Sequence, residues 1–286
     1  MISDVLSWLS CPHCATAMIA DAGPGSRILC EEGHAFDVAR PGYVSLLTGS
    51  GGAGTADTAA MVADRVDFLA AGHYAPIADL IAELAREADA RVPDDACVVD
   101  LGAGTGYYLA RVLDSIESAA GESGTAPRVG VALDISKHAA RHAAKAHPRI
   151  GAIVADAWAG LPLRGRAASV VLNVFAPRNA REMRRVVHPA GRAVVVVPEP
   201  EHLGELIAEY GLMAVDERKG DRLREQFGGR FEVVDEVPLG RRLELSAREV
   251  AQVIGMGPNA WHAEVGRVVE GAEVTVAVRA YVLAPR

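Results

Sequence analysis

Asp100, Asp134 and Asp156 each stand at or beside the end of a short apolar run. The first run, 97–101, breaks into Gly102, Gly104 and Gly106 at alternate positions, and a helical pattern resumes at Tyr107. A strand, a glycine turn and a helix open a nucleotide-binding βαβ unit, in which glycine lets backbone pass close to a ligand. The spacing is G-x-G-x-G, without the wider gap of the dinucleotide fingerprint. Asp134 ends the second run, 129–134, where a carboxylate can accept hydrogen bonds from both hydroxyls of a ribose. An N-cap for the helix from Ser136 is a compatible reading. Asp156 follows the third run, 150–155, where an adenine amino group would be reached. Such an acidic rim, with no arginine or lysine beside the glycines, suits a neutral or cationic nucleoside and not a pyrophosphate.

A second set of residues suits a metal. Cys11, Cys14, Cys30 and His34 give C-x2-C-x15-C-x3-H. A C-x2-C knuckle places two thiolates on one side of a tight turn, and a second pair can complete a tetrahedron around zinc. Four protein ligands leave no open position, so the expected role is structural. His13 lies between the first two cysteines and competes as a ligand, but His34 is better placed as partner to Cys30. About 40 residues bury too little apolar surface to fold alone, and the metal supplies the difference. Phe36 and Tyr43 are expected to pack beneath it.

Asn173-Val174-Phe175-Ala176-Pro177 ends the fourth run, 169–174. An amide and an aromatic ring there can orient and stack a planar base; a strand cap with Phe175 in the core reads equally well. Arg178, Arg181, Arg184 and Arg185 follow on or near one helix, either solvated or forming a local groove for a polyanion. His202 lies in a stretch, 199–203, expected to start a helix after the fifth run, 191–198. Tyr74 sits at a helix junction leading into the glycine turn, while Arg65 and His73 read as surface residues.

The elements that must hold these groups follow from periodicity. Residues 48–55 are glycine-rich and polar, as a hinge is. Asp57 is placed to cap a helix over 58–71, and a second amphipathic helix runs from Ile77 to about Glu87. Near the C-terminus a strand over 231–245, a capping box at Ser246–Glu249 and a final strand over 274–283 predict a closing hairpin. The expected class is α/β, a Rossmann-like domain with a small metal-binding module in front. The boundaries are 1–47 for that module, 48–93 for linker and hinge helices and 94–286 for the main domain. No apolar run approaches the ~18–20 residues of a membrane span, and no secretory signal is visible, so a cytoplasmic protein is expected. A net charge of −8 argues against a broad basic surface while leaving room for a local one.

The glycine turn with Asp100 resembles motif I of S-adenosylmethionine-dependent methyltransferases. Taken with C-P-H-C…C-x3-H, Phe68-Leu69-x-x-Gly72-His73-Tyr74-x-Pro76, Gly106-Tyr107-Tyr108, Leu133-Asp134-x-Ser136-Lys137, Phe175-Ala176-Pro177, His202-Leu203 and Gly257-Pro258-x-Ala260-Trp261, the whole chain resembles the RlmA family of large-subunit ribosomal RNA guanine-N1 methyltransferases. Gly-Ala-Gly-Thr-Gly-Tyr-Tyr and Asn-Val-Phe-Ala-Pro look more like its tylosin-resistance branch. The resemblance implies S-adenosylmethionine as cofactor, a structural zinc, and a homodimer whose cleft holds a hairpin of 23S ribosomal RNA. It also implies a contribution to macrolide resistance. Tyr74, Tyr107, Tyr108, Leu109 and His202 then join Asp100, Gly102, Gly104, Asp134 and Asp156 around the cofactor. Asn173 becomes the candidate catalytic residue, with His202 a distant second as base. Two alternatives remain: a small-molecule methyltransferase on the same scaffold, and a non-catalytic RNA-binding resistance factor.

Overall fold

The computed structural model describes residues 1–21, 27–49, 56–92, 95–123, 127–261 and 268–286. The hinge expected at 48–55 therefore lies mostly outside the described residues, as does His262. Helices are α1 (Ile2–Val5), α2 (Ala59–Ala70), α3 (Ala75–Asp89), α4 (Tyr107–Ser123), α5 (Lys137–Ala146), α6 (Ala180–Val186), α7 (Gly204–Tyr210), α8 (Lys219–Phe227) and α9 (Ala247–Gly255). Strands are β1 (Met18–Ala20), β2 (Arg27–Cys30), β3 (Ala35–Asp37), β4 (Tyr43–Ser45), β5 (Cys97–Leu101), β6 (Gly130–Asp134), β7 (Ile150–Val154), β8 (Ala168–Val174), β9 (Val187–Pro198), β10 (Phe231–Leu245) and β11 (Ala272–Pro285).

An eight-stranded sheet runs in the order β10-β11-β9-β8-β5-β6-β7-β4. From β9 to β4 neighbours pair in parallel, and β11 inserts antiparallel beside β9. The chain leaves β5 toward β6 and β7 on one side, then returns to β8 and β9 on the other. That reversal opens a crevice at the carboxyl ends of β5 and β8, where open α/β sheets bind ligands. Strand residues alternate between two apolar layers: Val98, Val170 and Val194 face the α3 and α4 side, while Val99, Val171 and Val195 face the side of α6, α8 and the N-terminal segment. The uninterrupted burial of β5, β7 and β8 is that of strands covered on both faces.

The ribbon β1-β2-β3 is a separate antiparallel sheet, but its flanks are stitched to the main one. β4 pairs in parallel with β7, extending the large sheet into residues expected to belong to the metal module. Tyr43 consequently packs against the main core and not under the cysteines, because its strand is a sheet edge. Phe36 does lie there, stacked on His13. Val5 and Leu9 are fully buried in the layer shared with β7.

Two local expectations are corrected. Thr58, not Asp57, caps α2, its hydroxyl accepting the Met61 N–H at 3.3 Å; Asp57 is turned to Arg65 instead. Residues 199–203 are a turn, and α7 begins only at Gly204 because Leu203 takes a left-handed φ of 54°.

Candidate active site

β5 delivers Asp100 into the crevice, 1 % exposed, with neither carboxylate oxygen hydrogen-bonded. Burial, with the nearby charge of Asp134, pushes its carboxyl up to about 7. A buried carboxylate left without donors is costly. At the carboxyl edge of a parallel sheet such a group can hold a ligand cation. The glycine turn beside it is tightly held. Gly102, Gly104 and Gly106 have φ of 74°, 54° and 79°, conformations that side chains rarely adopt. A Cβ on Gly102 would collide with that of Ala176, so the glycine is also what lets the 173–177 turn approach.

Asp134, at the end of β6, accepts the backbone N–H groups of Gly104 and Ser136, each at 2.8 Å. These bonds lock the glycine turn to the neighbouring strand, and the carboxylate's remaining lone pairs can accept further donors. The N-cap of α5 is Ser136, so Asp134 is released from that role. Asp156 follows β7, half-buried, and one of its oxygens accepts the Trp158 N–H at 2.9 Å.

The opposite wall is aromatic. Tyr74 is 3 % exposed, its hydroxyl 3.3 Å from His202 Nε2. His202 Nδ1 accepts the Ala277 N–H. Phe175 stacks toward His202 with centroids 6.0 Å apart, and it is 41 % exposed at a φ of 54°. Phe175 is thus not a core residue; strain of about 1–3 kcal/mol holds its ring at the mouth. Asn173 is the opposite case. It is 1 % exposed, and its amide donates to the carbonyls of Leu101 at 3.3 Å and Pro177 at 2.9 Å. It braces β8 and the following turn against the end of β5. Tyr108 is buried, and its phenol is raised well above its ordinary pKa by burial, with Tyr74 and Tyr107 also nearby. Tyr107 also feels Asp79 and Arg111 on the outer side of α3 and α4, and Leu109 is fully buried under Gly130. The structure therefore gathers Tyr74, Asp100, Gly102, Gly104, Tyr108, Asp134, Phe175 and His202, with Tyr107 and Leu109 behind them.

One residue at the site was not legible in the motifs. Arg65 of α2 reaches over the turn, its Nη1 3.3 Å from where a Gly104 Cβ would stand. It pairs with Asp57 at 2.5 Å and donates to the Met256 carbonyl at 2.6 Å. The expectation that no arginine stands beside the glycines is overturned, because α2 folds back from 39 positions upstream of Gly104. His73 likewise leaves the surface role, bonding Glu249 of α9 at 2.7 Å.

In the ribbon the donor atoms of Cys11, Cys14, Cys30 and His34 all lie within 4.8 Å of one another. Cys14 and Cys30 sulfurs are 3.6 Å apart, and His34 Nδ1 is 3.3 Å from Cys30 and 3.6 Å from Cys11. A tetrahedral zinc with bonds of about 2.3 Å to sulfur requires ligand separations near these. His13 stands outside the cluster, tilted against the His34 ring.

A doubly wound sheet with an orphaned acid and a glycine cradle at its switch point, the cradle tied to a carboxylate on the next strand, defines the class: a Rossmann-like S-adenosylmethionine-dependent methyltransferase preceded by a zinc-ribbon domain. Residues 9–48 match the family described as "RlmA, N-terminal". A Streptomyces fradiae 23S rRNA (guanine(748)-N(1))-methyltransferase is 46 % identical over 92 % of this chain and 89 % of its own. A Micromonospora griseorubida protein named for 23S rRNA guanine-N1 methylation is 45 % identical over 98 % of both chains. A Bacillus subtilis protein, YxjB, named for the same reaction, is 32 % identical over 70 % of this chain and 67 % of its own. The chain belongs to the 23S rRNA (guanine-N1)-methyltransferase family.

Proposed function

We propose that this protein methylates N1 of a guanine in a hairpin loop of 23S ribosomal RNA. The target comes from the names its relatives carry. The observation that carries the reading into this chain is Phe175, an exposed and strained ring beside the Tyr74–His202 pair. A flipped base needs such a stacking surface, and loops lose least when a base is splayed out.

Bound in the crevice, S-adenosylmethionine supplies a sulfonium methyl that needs alignment more than activation. Asp100 would hold the ammonium of its methionine end, Asp134 its ribose hydroxyls and Asp156 its adenine amino group. Phe175 stacks the guanine, and Asn173 acts as a positioning residue by fixing the turn that carries Phe175. His202 does not accept the N1 proton, because its Nδ1 already takes a backbone N–H and its Nε2 bears the hydrogen aimed at Tyr74. The proton leaves to solvent at the open mouth.

Cys11, Cys14, Cys30 and His34 hold zinc as a closed structural site, and a homodimer presents the RNA between two copies. In this reading a host expressing the protein tolerates macrolides of the tylosin type better than one without it. Among the described residues no helix is long and apolar enough to cross a membrane.

Primer extension on 23S transcripts treated with protein and cofactor tests the assignment, since N1 methylation blocks base pairing and stops the polymerase. A single new stop in a hairpin loop is expected. Cofactor turnover on a metabolite without any RNA stop would move the substrate to small molecules; absence of cofactor binding by calorimetry would remove the enzymatic reading.

A further inference from the structure

We propose that Arg65 binds the carboxylate of the cofactor's methionine end, opposite Asp100 across the glycine turn. The inference deepens the cofactor reading above and rests on it, not on the choice of RNA.

The methionine end of S-adenosylmethionine is a free amino acid, with an ammonium and a carboxylate on one carbon. A crevice offering acids alone would hold the first and repel the second. Asp100 stands next to the end of β5, and Gly102 and Gly104 follow within four residues. Over the far end of that turn lies Arg65, its Nη1 3.3 Å and its Cδ 3.6 Å from where a Gly104 Cβ would stand. The turn is therefore flanked by a buried, unpartnered acid at one end and by a cation at the other. His202, on the opposite wall, is held neutral near pH 7 by burial and the charge of Lys219, and cannot supply that cation.

The guanidinium is held in place with donors to spare. Its Nη1 pairs with Asp57 at 2.5 Å, and its Nη2 donates to the Met256 carbonyl at 2.6 Å. The Ser136 hydroxyl in turn donates to the Asp57 carbonyl at 2.7 Å, anchoring that residue to the start of α5. The remaining N–H groups of Arg65 have no acceptor among the described residues. The Arg65 and Asp57 side chains are 23 % and 24 % exposed, so the pair is open to solvent and of small worth by itself. Asp57 orients the guanidinium more than it neutralises it. A planar fork of five donors can serve a second carboxylate alongside the first.

Arg65 is not needed to hold its helix. α2 is fastened to α9 by His73 to Glu249 at 2.7 Å and by Arg248 and Gln252 to Asp67 at 2.8 and 3.2 Å. A Cβ on Gly255 would collide with the Asp64 carboxylate, so the two helices also lie in close contact beside Arg65. What Arg65 adds is a fixed positive charge at the turn.

The test titrates the full chain by calorimetry with S-adenosylmethionine and with its decarboxylated analogue, which keeps the sulfonium and the ammonium. Wild-type protein is expected to prefer the intact cofactor by about 10- to 100-fold, the worth of a charge-assisted hydrogen bond. Arg65→Gln should lose about that much affinity for the intact cofactor and little for the analogue, so the preference collapses. Arg65→Lys, with charge but no fork, should fall between. Equal weakening toward both ligands would make Arg65 a structural latch and overturn the proposal, as would a wild-type protein that does not distinguish them. A second measurement needs no variant: phenylglyoxal labelling of Arg65, read by mass spectrometry of its peptide. Saturating S-adenosylmethionine should protect Arg65 and the saturating analogue should not; equal labelling with both overturns the assignment. Wild-type protein that binds neither ligand overturns the cofactor reading itself, a result visible before any variant is made.

Discussion

His202 Nε2 stands 3.3 Å from the Tyr74 hydroxyl. Because Nδ1 accepts the Ala277 N–H, the hydrogen must be on Nε2, pointing at the phenol. Burial, with the charge of Lys219, pushes the imidazole down to about 4. The ring is therefore neutral near pH 7 and works as a rigid wall. His202→Gln keeps an N–H donor but cannot carry a proton. It should retain kcat within about tenfold and leave the pH–rate profile unchanged in shape. A loss in the 10²–10⁴ range typical of a removed general base would contradict this. The sign for stability runs the other way from a gained partner. The unfolded chain takes up the His202 proton first, so acid should weaken the fold progressively below about pH 6.5.

With the proposed role of Asp100, cofactor binding is predicted to depend on pH. Its carboxyl sits near pH 7 in the folded chain, above its unfolded value of 3.8. A raised acid of this kind contributes most below the unfolded pKa and is lost as pH rises through the folded one, so its burial costs stability above pH 7. A bound ammonium favours the ionised form and pulls the pKa back down. Cofactor affinity should climb as pH rises toward 7 and level off beyond it, with close to one proton released per cofactor at pH 6. Calorimetry in buffers of different ionisation heat reads that proton directly; none released would show that Asp100 does not face the cation. Asp100→Asn should stabilise the unliganded protein at pH 8 while weakening cofactor binding by about 1.5–3 kcal/mol.

Asn173 joins two pieces of backbone that would otherwise drift apart. Its amide is the donor for the Leu101 and Pro177 carbonyls. Asn173→Ala should lower thermal stability by about 1–3 kcal/mol, because both acceptors stay buried without it. Cofactor affinity should stay near normal, since Asp100 and Asp134 are untouched. Turnover should drop by about 10²-fold or more through misplacement of the Phe175 turn. Normal kcat in a folded variant would remove Asn173 from the mechanism.

Sequence legibility followed the range of the interactions. The glycine turn, the three acids at strand ends and the capping box at Ser246–Glu249 are local patterns, and all lie where their spacing put them. Arg65 carries no such mark. It reaches the site only because α2 folds back over the glycine turn, and periodicity does not record which element lies over which. Phe175 was undecidable from type alone, since a ring after a strand fits a core or a mouth; the left-handed φ that decided it is a property of the turn. The edge role of β4 was hidden for a related reason. Three residues, Tyr43–Ser45, are too short to signal a parallel partner 109 positions away.

The stitching of the ribbon to the sheet predicts how the protein responds to losing its metal. Val5, Leu9 and Val44 are each fully buried against the main domain, and β4 is hydrogen-bonded to β7. None of these contacts passes through Cys11, Cys14, Cys30 or His34. The strands β1-β2-β3, by contrast, are three or four residues each. They hold only a few buried side chains and depend on the cluster for their geometry. Cys30→Ser or exhaustive chelation should therefore melt the ribbon alone. Cofactor affinity and the main unfolding transition should change little, and amide exchange should accelerate in 11–37 but not in β4 or β7. RNA turnover should fall with it if the head domain helps seat the hairpin. Equimolar zinc by elemental analysis, lost in Cys30→Ser, is the accompanying measurement. Collapse of cofactor binding on chelation would instead mean that the metal organises the large sheet through α1 and β4.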